Sequence, residues 1–364
     1  MTTDVVLREA TPGDEGAIVG LVASSPDGGA VSFRPRLHVP AGEAHDPVHD
    51  ATVRIVAEIT GSGPGGAELV GSAAASTGTC RFEGSLVRYA LLHSLVVSPD
   101  HRRRGIGRTL SQGLLDRVRD EVGDDGVVLA NIQRGNAAST ANAASTAASA
   151  ANVAGWTTSA SSPTIVVPVP MRRHRPRLEG GLTVSEAEPA DLEAVAAGIG
   201  AFSGSHDFSL DWTAERLARW LAVSPLEDPV NHYLVAREAA GTIVAGLALR
   251  EEGRIRSLEV VHMPASVRLA NLVVHVVPPD GVLRNLVVDR IWFAPGRLPA
   301  AQALWEHVRW AWRDRGSNLL VNLDPRSPAR RVVTLRPWSP RTAMRILVRS
   351  RRPLDPTRIV DPLL

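Results

Sequence analysis

Apolar residues along this chain gather into two kinds of run. Short stretches rich in Val, Ile and Leu at 5–8, 53–59, 69–75, 91–97, 127–132 and 164–169 predict strands. The 91–97 run is nearly continuous in apolar residues, as a buried strand requires. Between the runs, Ile18, Leu21 and Val22, and later Leu110, Leu114, Leu115 and Val118, recur at helical spacing. Thr11-Pro12-Gly13-Asp14 opens the first helix, with Thr11 or Asp14 as its cap. The Gly-rich stretch 61–66 turns one strand into the next, and Asp124-Asp125-Gly126 turns the second helix into the 127–132 strand. Residues 28–50, rich in Pro, Gly and His, show no clear period. The fold class expected is α/β (α+β), strands and helices in one layered core.

The pattern then starts again. Glu186-Ala187-Glu188-Pro189-Ala190-Asp191 repeats the spacing of Glu9-Ala10-Thr11-Pro12-Gly13-Asp14, an internal repeat of domain length. Leu192, Val195, Ala196 and Ile199 continue as a helix, and 216–223 reads as another. Runs 233–237 and 243–250 pair across Gly241, 283–293 takes the place of 91–97, a helix follows at 300–313, and 319–323 is the next strand. The expected division is a first domain over 1–171, a linker over 172–181 and a second domain over 182–364.

Chemistry concentrates after the 91–97 strand. Ser98-Pro99-Asp100 ends it, and Arg102-x-x-Gly105-x-Gly107 leads into the next helix. A helix start has unpaired N–H groups and partial positive charge, glycines allow close approach, and arginines add forked donors. Such a loop is a cradle for a diphosphate. It is not a P-loop, because the chain contains no lysine, and the dinucleotide fingerprint needs a third glycine. In the second half the matching loop, 294–299, lacks the pattern, and Pro299 removes a donor N–H.

The strand, Val97-Ser98-Pro99, Arg102, Gly105 and Gly107 together resemble the acyl-CoA loop of the GNAT superfamily of N-acetyltransferases. The opening residues 8–14 are similar to the first strand and helix of that fold. The resemblance implies two tandem GNAT-like domains, each a mixed, mostly antiparallel sheet flanked by helices, the second a degenerate copy. The architecture is similar to that of mycothiol synthase and of tandem acetyltransferases from antibiotic gene clusters. Acetyl-CoA is then the acyl donor. Arg102, Arg103, Arg104, Gly105, Ile106, Gly107 and Arg108 would hold its diphosphate, and Leu95, Val96 and Val97 its pantetheine and thioester oxygen. Asn131 and Asn136 are further cofactor-contact candidates. His93 occupies the place where the family often carries a general base; it reads either as that base, near its normal pKa, or as a hydrogen-bonded core histidine. The Ala-rich segment 136–154 corresponds to a family helix that often supplies a tyrosine acid, but the matching position is Ala151. The acceptor wall corresponds to 28–50. The implied function is N-acetylation of a small-molecule primary amine in the first domain, with His93 or water as base. The alternative is an acetyl-CoA-binding regulatory protein without turnover.

Composition narrows the remaining choices. A formal net charge of +2 argues against nucleic acid as the partner, although the tail after Pro325 is rich in arginine. The single cysteine, Cys80, rules out a disulfide framework and a Cys-rich metal site. The spacing of His38, His45 and His49 does not suit a tight zinc site, so they read as loop histidines. No long apolar run predicts a membrane span, and the expectation is a cytoplasmic protein. Seven of the eight tryptophans lie in the second half and read as core or interface packing, where an apolar helix could equally serve a homodimer.

Overall fold

The computed structural model describes residues 5–25, 31–60, 67–133, 158–335, 339 and 341–363. The first half runs β1 (Val5–Glu9), α1 (Glu15–Ser24), β2 (Ser32–Leu37), β3 (Ala51–Thr60), β4 (Ala67–Phe82), β5 (Ser85–Val97), α2 (Ile106–Val122), β6 (Val127–Gln133) and β7 (Thr158–Pro170). The second runs β8 (Thr183–Glu186), α3 (Leu192–Ser203), α4 (Ala214–Ala222), β9 (Asn231–Arg237), β10 (Ile243–Arg250), α5 (Glu252–Ile255), β11 (Arg256–His262), α6 (Ala265–Val274), β12 (Val282–Leu283), β13 (Asn285–Phe293), α7 (Leu298–Ala311), β14 (Asn318–Leu323) and β15 (Thr342–Ser350).

The repeated Pro-x-Asp has the same physical task in both halves. The Asp14 carboxylate accepts the Thr11 N–H at 2.6 Å, and Asp191 accepts the Glu188 N–H at 2.7 Å. Each carboxylate thereby closes the turn that starts a helix. Each also takes an arginine from a neighbouring strand, Arg8 for Asp14 and Arg237 for Asp191.

One twelve-stranded sheet runs through the described residues in the order β1-β3-β4-β5-β6-β15-β7-β14-β13-β10-β9-β8. It is mostly antiparallel; β5–β6 and β13–β14 pair in parallel. The sequence places 164–169 as the closing strand of the first half. Instead β7 lies between β14 and β15, and β15, from the end of the chain, lies beside β6. Each half thus lends its last strand to the other.

Residues 31–50, which show no clear period in sequence, include one strand. β2 pairs with β11 at the edge of a small sheet ordered β12-β11-β2. Pro35 sits in that strand opposite Leu258, where an edge position tolerates a residue with no N–H.

Helix α2 covers one face of the first half, burying Ile106, Leu110, Leu114 and Val118 against Ile55, Ala73 and Ala90. Helix α7 does the same in the second half, with Leu304, Trp305 and Val308 over Leu247 and Val288. A third cluster belongs to both halves: Phe82, Tyr89 and Leu129 pack with Leu217, Trp220 and Tyr233. Trp220 and Trp305 are wholly buried, in keeping with a packing role. Trp338 lies outside the described residues. Two tail arginines pair with buried carboxylates, Arg326 with Asp324 and Arg358 with Asp207, and Arg351 pairs with Asp124 at the surface.

Candidate functional site: a wedge between two parallel strands

Strands β5 and β6 pair from Tyr89↔Val127 to Leu92↔Ala130 and then part. A bulge causes the parting. Between the pairs Ala74↔His93 and Ser72↔Val96, the single residue Ala73 stands against Ser94 and Leu95 on β5. Ser94 takes up the extra length with φ +53°. A bulge of this kind bends and twists its strand, here away from β6. Residues 93–97 therefore keep β4 as a neighbour but have no Cα partner on β6. Leu95, Val96 and Val97 all lie on this freed stretch, where Leu95 is exposed. On the other wall, the Asn131 side-chain amide donates to the Leu363 carbonyl at 2.6 Å. That bond ties down the chain end. Asn136 and the Ala-rich segment lie outside the described residues.

The cradle sits just beyond the open end. A 3-10 turn at Pro99–His101 leads from β5 to α2. Gly105 caps α2 with φ +82°, and a Cβ there would meet nothing within 4 Å. The helix is held close to the sheet because Gly71 has no side chain: a Cβ would come within 2.9 Å of Leu110 Cδ1 and 3.2 Å of the Val96 carbonyl. The first helical bond runs from Thr109 N–H to the Gly105 carbonyl at 3.0 Å. The amides of Gly105, Ile106, Gly107 and Arg108 precede it and have no carbonyl within the helix to bond. Arg102, Arg103, Arg104 and Arg108 are all exposed around them. Arg103 and Arg104 have no carboxylate partner among the described residues, and Arg102 Nε donates to the Val97 carbonyl at 3.3 Å. Ile106 is buried and anchors the turn. The N–H groups of a helix start, the cations Arg103 and Arg104 and a bare glycine together fit a diphosphate.

His93 sits at the throat, half-buried, on the face away from α2. Its Nε2 lies 2.8 Å from Ser76 Oγ, which in turn lies 2.8 Å from Thr52 Oγ1; its Nδ1 lies 2.9 Å from Ser94 Oγ. Burial pushes its pKa down to about 3, and His49, Arg54, His45 and Arg256 push the same way. Arg54 is in register with it through Ala74, so both project from one face. The expectation of a histidine near its normal pKa is therefore corrected: His93 is neutral at physiological pH and takes up a proton poorly. Its hydroxyl partners Ser76 and Ser94, with Thr52 beyond Ser76, escape a linear reading, because the bulge sets which of them meet.

Two of the loop histidines are used internally: His38 bonds Ser257 Oγ at 2.9 Å and His49 bonds the Tyr89 hydroxyl at 2.7 Å. No group of three or more His, Cys, Asp or Glu able to hold a metal occurs among the described residues. Nor, among them, is any helix long and apolar enough to cross a membrane.

Known proteins place this geometry. Residues 32–144, which span both the wedge and the cradle, match the acetyltransferase (GNAT) family model. No curated protein sequence matches the chain. Among solved structures, a GCN5-related N-acetyltransferase from Sphaerobacter thermophilus is 18% identical, with 96% of this chain and 97% of that one covered at a TM-score of 0.55. One from Kribbella flavida is also 18% identical, covering 95% of this chain and 71% of that one at 0.51. Saccharomyces cerevisiae N-myristoyltransferase with bound myristoyl-CoA is 10% identical, covering 100% and 90% at 0.63. At these identities the structures speak for a common fold, and the family match for acyl-CoA as the donor class. The GNAT match is therefore to residues 32–144, and the fold shared with these structures runs along the length of the chain.

Proposed function

We propose that this protein is an acetyl-CoA-dependent N-acetyltransferase that acetylates the primary amine of a small molecule in the first half of the chain. One observation carries the reading: the open end of the β5–β6 wedge and the Arg/Gly cradle are separated only by the short turn 98–105. A donor lying along β5 would place its diphosphate on the α2 amides and Arg103 and Arg104, and its thioester beside residues 93–97. The second half lacks the matching arginines and glycine pair, so one working site per chain is the reading.

Transfer forms a C–N bond and breaks a C–S bond; the ammonium first gives up one proton to become the attacking amine, and a second proton passes from its nitrogen to the leaving thiolate. His93 is too weak a base to store the first proton. Water at the wedge mouth accepts it, and His93, bonded to Ser94 Oγ, positions that hydroxyl. Main-chain N–H groups of the freed stretch supply the oxyanion with donors that need no rearrangement. The low basicity of His93 equally favours the other reading, coenzyme binding without turnover. Incubation with acetyl-CoA and a panel of primary amines decides between them. Release of free thiol dependent on an amine supports transfer, and coenzyme binding with no thiol release across the panel contradicts it.

A further inference from the structure

The register that opens the first wedge recurs residue for residue in the second half. β10 and β13 pair as Ala248↔Asp289 and Gly246↔Trp292, leaving Leu247 opposite Arg290 and Ile291. Arg290 has φ +48°, as Ser94 has +53°. β13 and β14 pair in parallel from Asn285↔Asn318 to Val288↔Val321 and then part. Asp289 therefore stands where His93 stands, Arg290 where Ser94 stands, and Asn322 where Asn131 stands.

This second wedge encloses a cavity of about 110 Å³, lined by Asp289, Asn322, Phe202, Phe208, Trp212 and Trp292 among others. That is room for a small organic molecule rather than one water. Two polar groups in it lack partners. Asn322 is only 9% exposed, yet its Oδ1 has no hydrogen bond. Its counterpart Asn131 donates through Nδ2 to the Leu363 carbonyl. Asp289 Oδ1 accepts from Arg290 at 2.8 Å, and Oδ2 has no partner among the described residues. Arg290 is itself fixed between two indoles, its guanidinium carbon 4.2 Å from the Trp212 ring and 4.3 Å from that of Trp220. Burial raises the Asp289 carboxyl to about 6, so it is mostly ionised at pH 8. A coenzyme diphosphate is not what this end offers to hold. Arg297 is paired with Glu238 at 3.0 Å, and Pro299 has no N–H in the first turn of α7.

We propose that the second wedge is a binding site for a small primary amine. Asp289 Oδ2 and Asn322 Oδ1 accept its ammonium, and the aromatic side chains enclose its apolar body. The site is independent of transfer chemistry in the first half.

Calorimetric titration of benzylamine into the full chain at pH 8 tests this, with benzyl alcohol as the uncharged comparison. The expected result is saturable benzylamine binding, weakened tenfold or more in Asp289→Asn and severalfold in Asn322→Ala, with benzyl alcohol binding at least tenfold more weakly. Two sites in the wild type that fall to one in Asp289→Asn would support it equally. Asn322→Ala removes an oxygen with no hydrogen bond, so it decides the matter should Asp289→Asn unfold. No benzylamine binding in the wild type, or unchanged affinity and stoichiometry in the variants, would overturn it.

Discussion

At the scale of single residues, His93 shows how surroundings override type. On β5 it is neutral because it is buried and faces other cationic groups, not because it lacks partners. Folded His93 titrates at about 3 against 6.5 for the free side chain, so at acid pH the unfolded chain binds a proton that the folded one does not. Its contribution to stability is intact above about pH 7 and is lost as pH falls from 6.5 towards 3, at no more than about 1.4 kcal/mol per pH unit. His93→Gln should flatten the stability profile in that window, measured by urea denaturation at a series of pH values; an unchanged slope would contradict it. In the same account, kcat/KM carries no ionisation near 6.5 that His93→Gln abolishes. Arg54→Met should move the His93 pKa upward in a proton NMR titration, since Arg54 lies on the same face two strands away.

At the scale of elements, the two wedges are one device used twice: a bulge, a positive-φ residue and a parallel pairing of four residues that then stops. The capping Asp that begins each half is equally repeated. Asp14→Ala and Asp191→Ala should each lower stability by about 1–2 kcal/mol, as loss of a helix cap does, read from shifts in denaturation midpoint. A loss confined to one variant would show that the motif recurs in sequence without recurring in energetics. Much at this scale is legible without coordinates. Gly105 and Gly107, with Leu110, Leu114, Leu115 and Val118 after them, announce a loop and an amphipathic helix because their spacing is local. β2 escapes notice because Arg34, Pro35 and Arg36 give it neither alternation nor β-propensity, and its strand partner among the described residues, β11, comes from the far half of the chain. Asp289 and Asn322 were within reach of the internal repeat, but placing them needs the bulge register, which no spacing in the sequence reveals.

At the scale of the whole molecule, the exchanged strands make the halves interdependent. The pairing of β15 with β6 and β7 joins residues widely separated in sequence, and nothing in either segment's pattern names its partner. The shared core of Tyr89, Trp220 and Tyr233 reinforces that joint. A chain ending at residue 335 loses β15 and leaves β6 and β7 with bare edges, so it should aggregate rather than fold. Differential scanning calorimetry of the full chain should show one transition. Trp220→Ala should lower it as a unit, at a cost of about 3–5 kcal/mol, without splitting it into two. Two independent transitions would mean that the halves fold separately despite the exchange.

The account turns on a single donor site at the α2 cradle. Acetyl-CoA titrated by calorimetry into the wild type and into Arg103→Glu/Arg104→Glu tests it most directly, because neither arginine has a carboxylate partner among the described residues and the variant should keep its fold. One molar equivalent in the wild type, weakened more than tenfold in the variant, is the predicted result. Two equivalents, unchanged affinity in the variant, or no binding at all would contradict it.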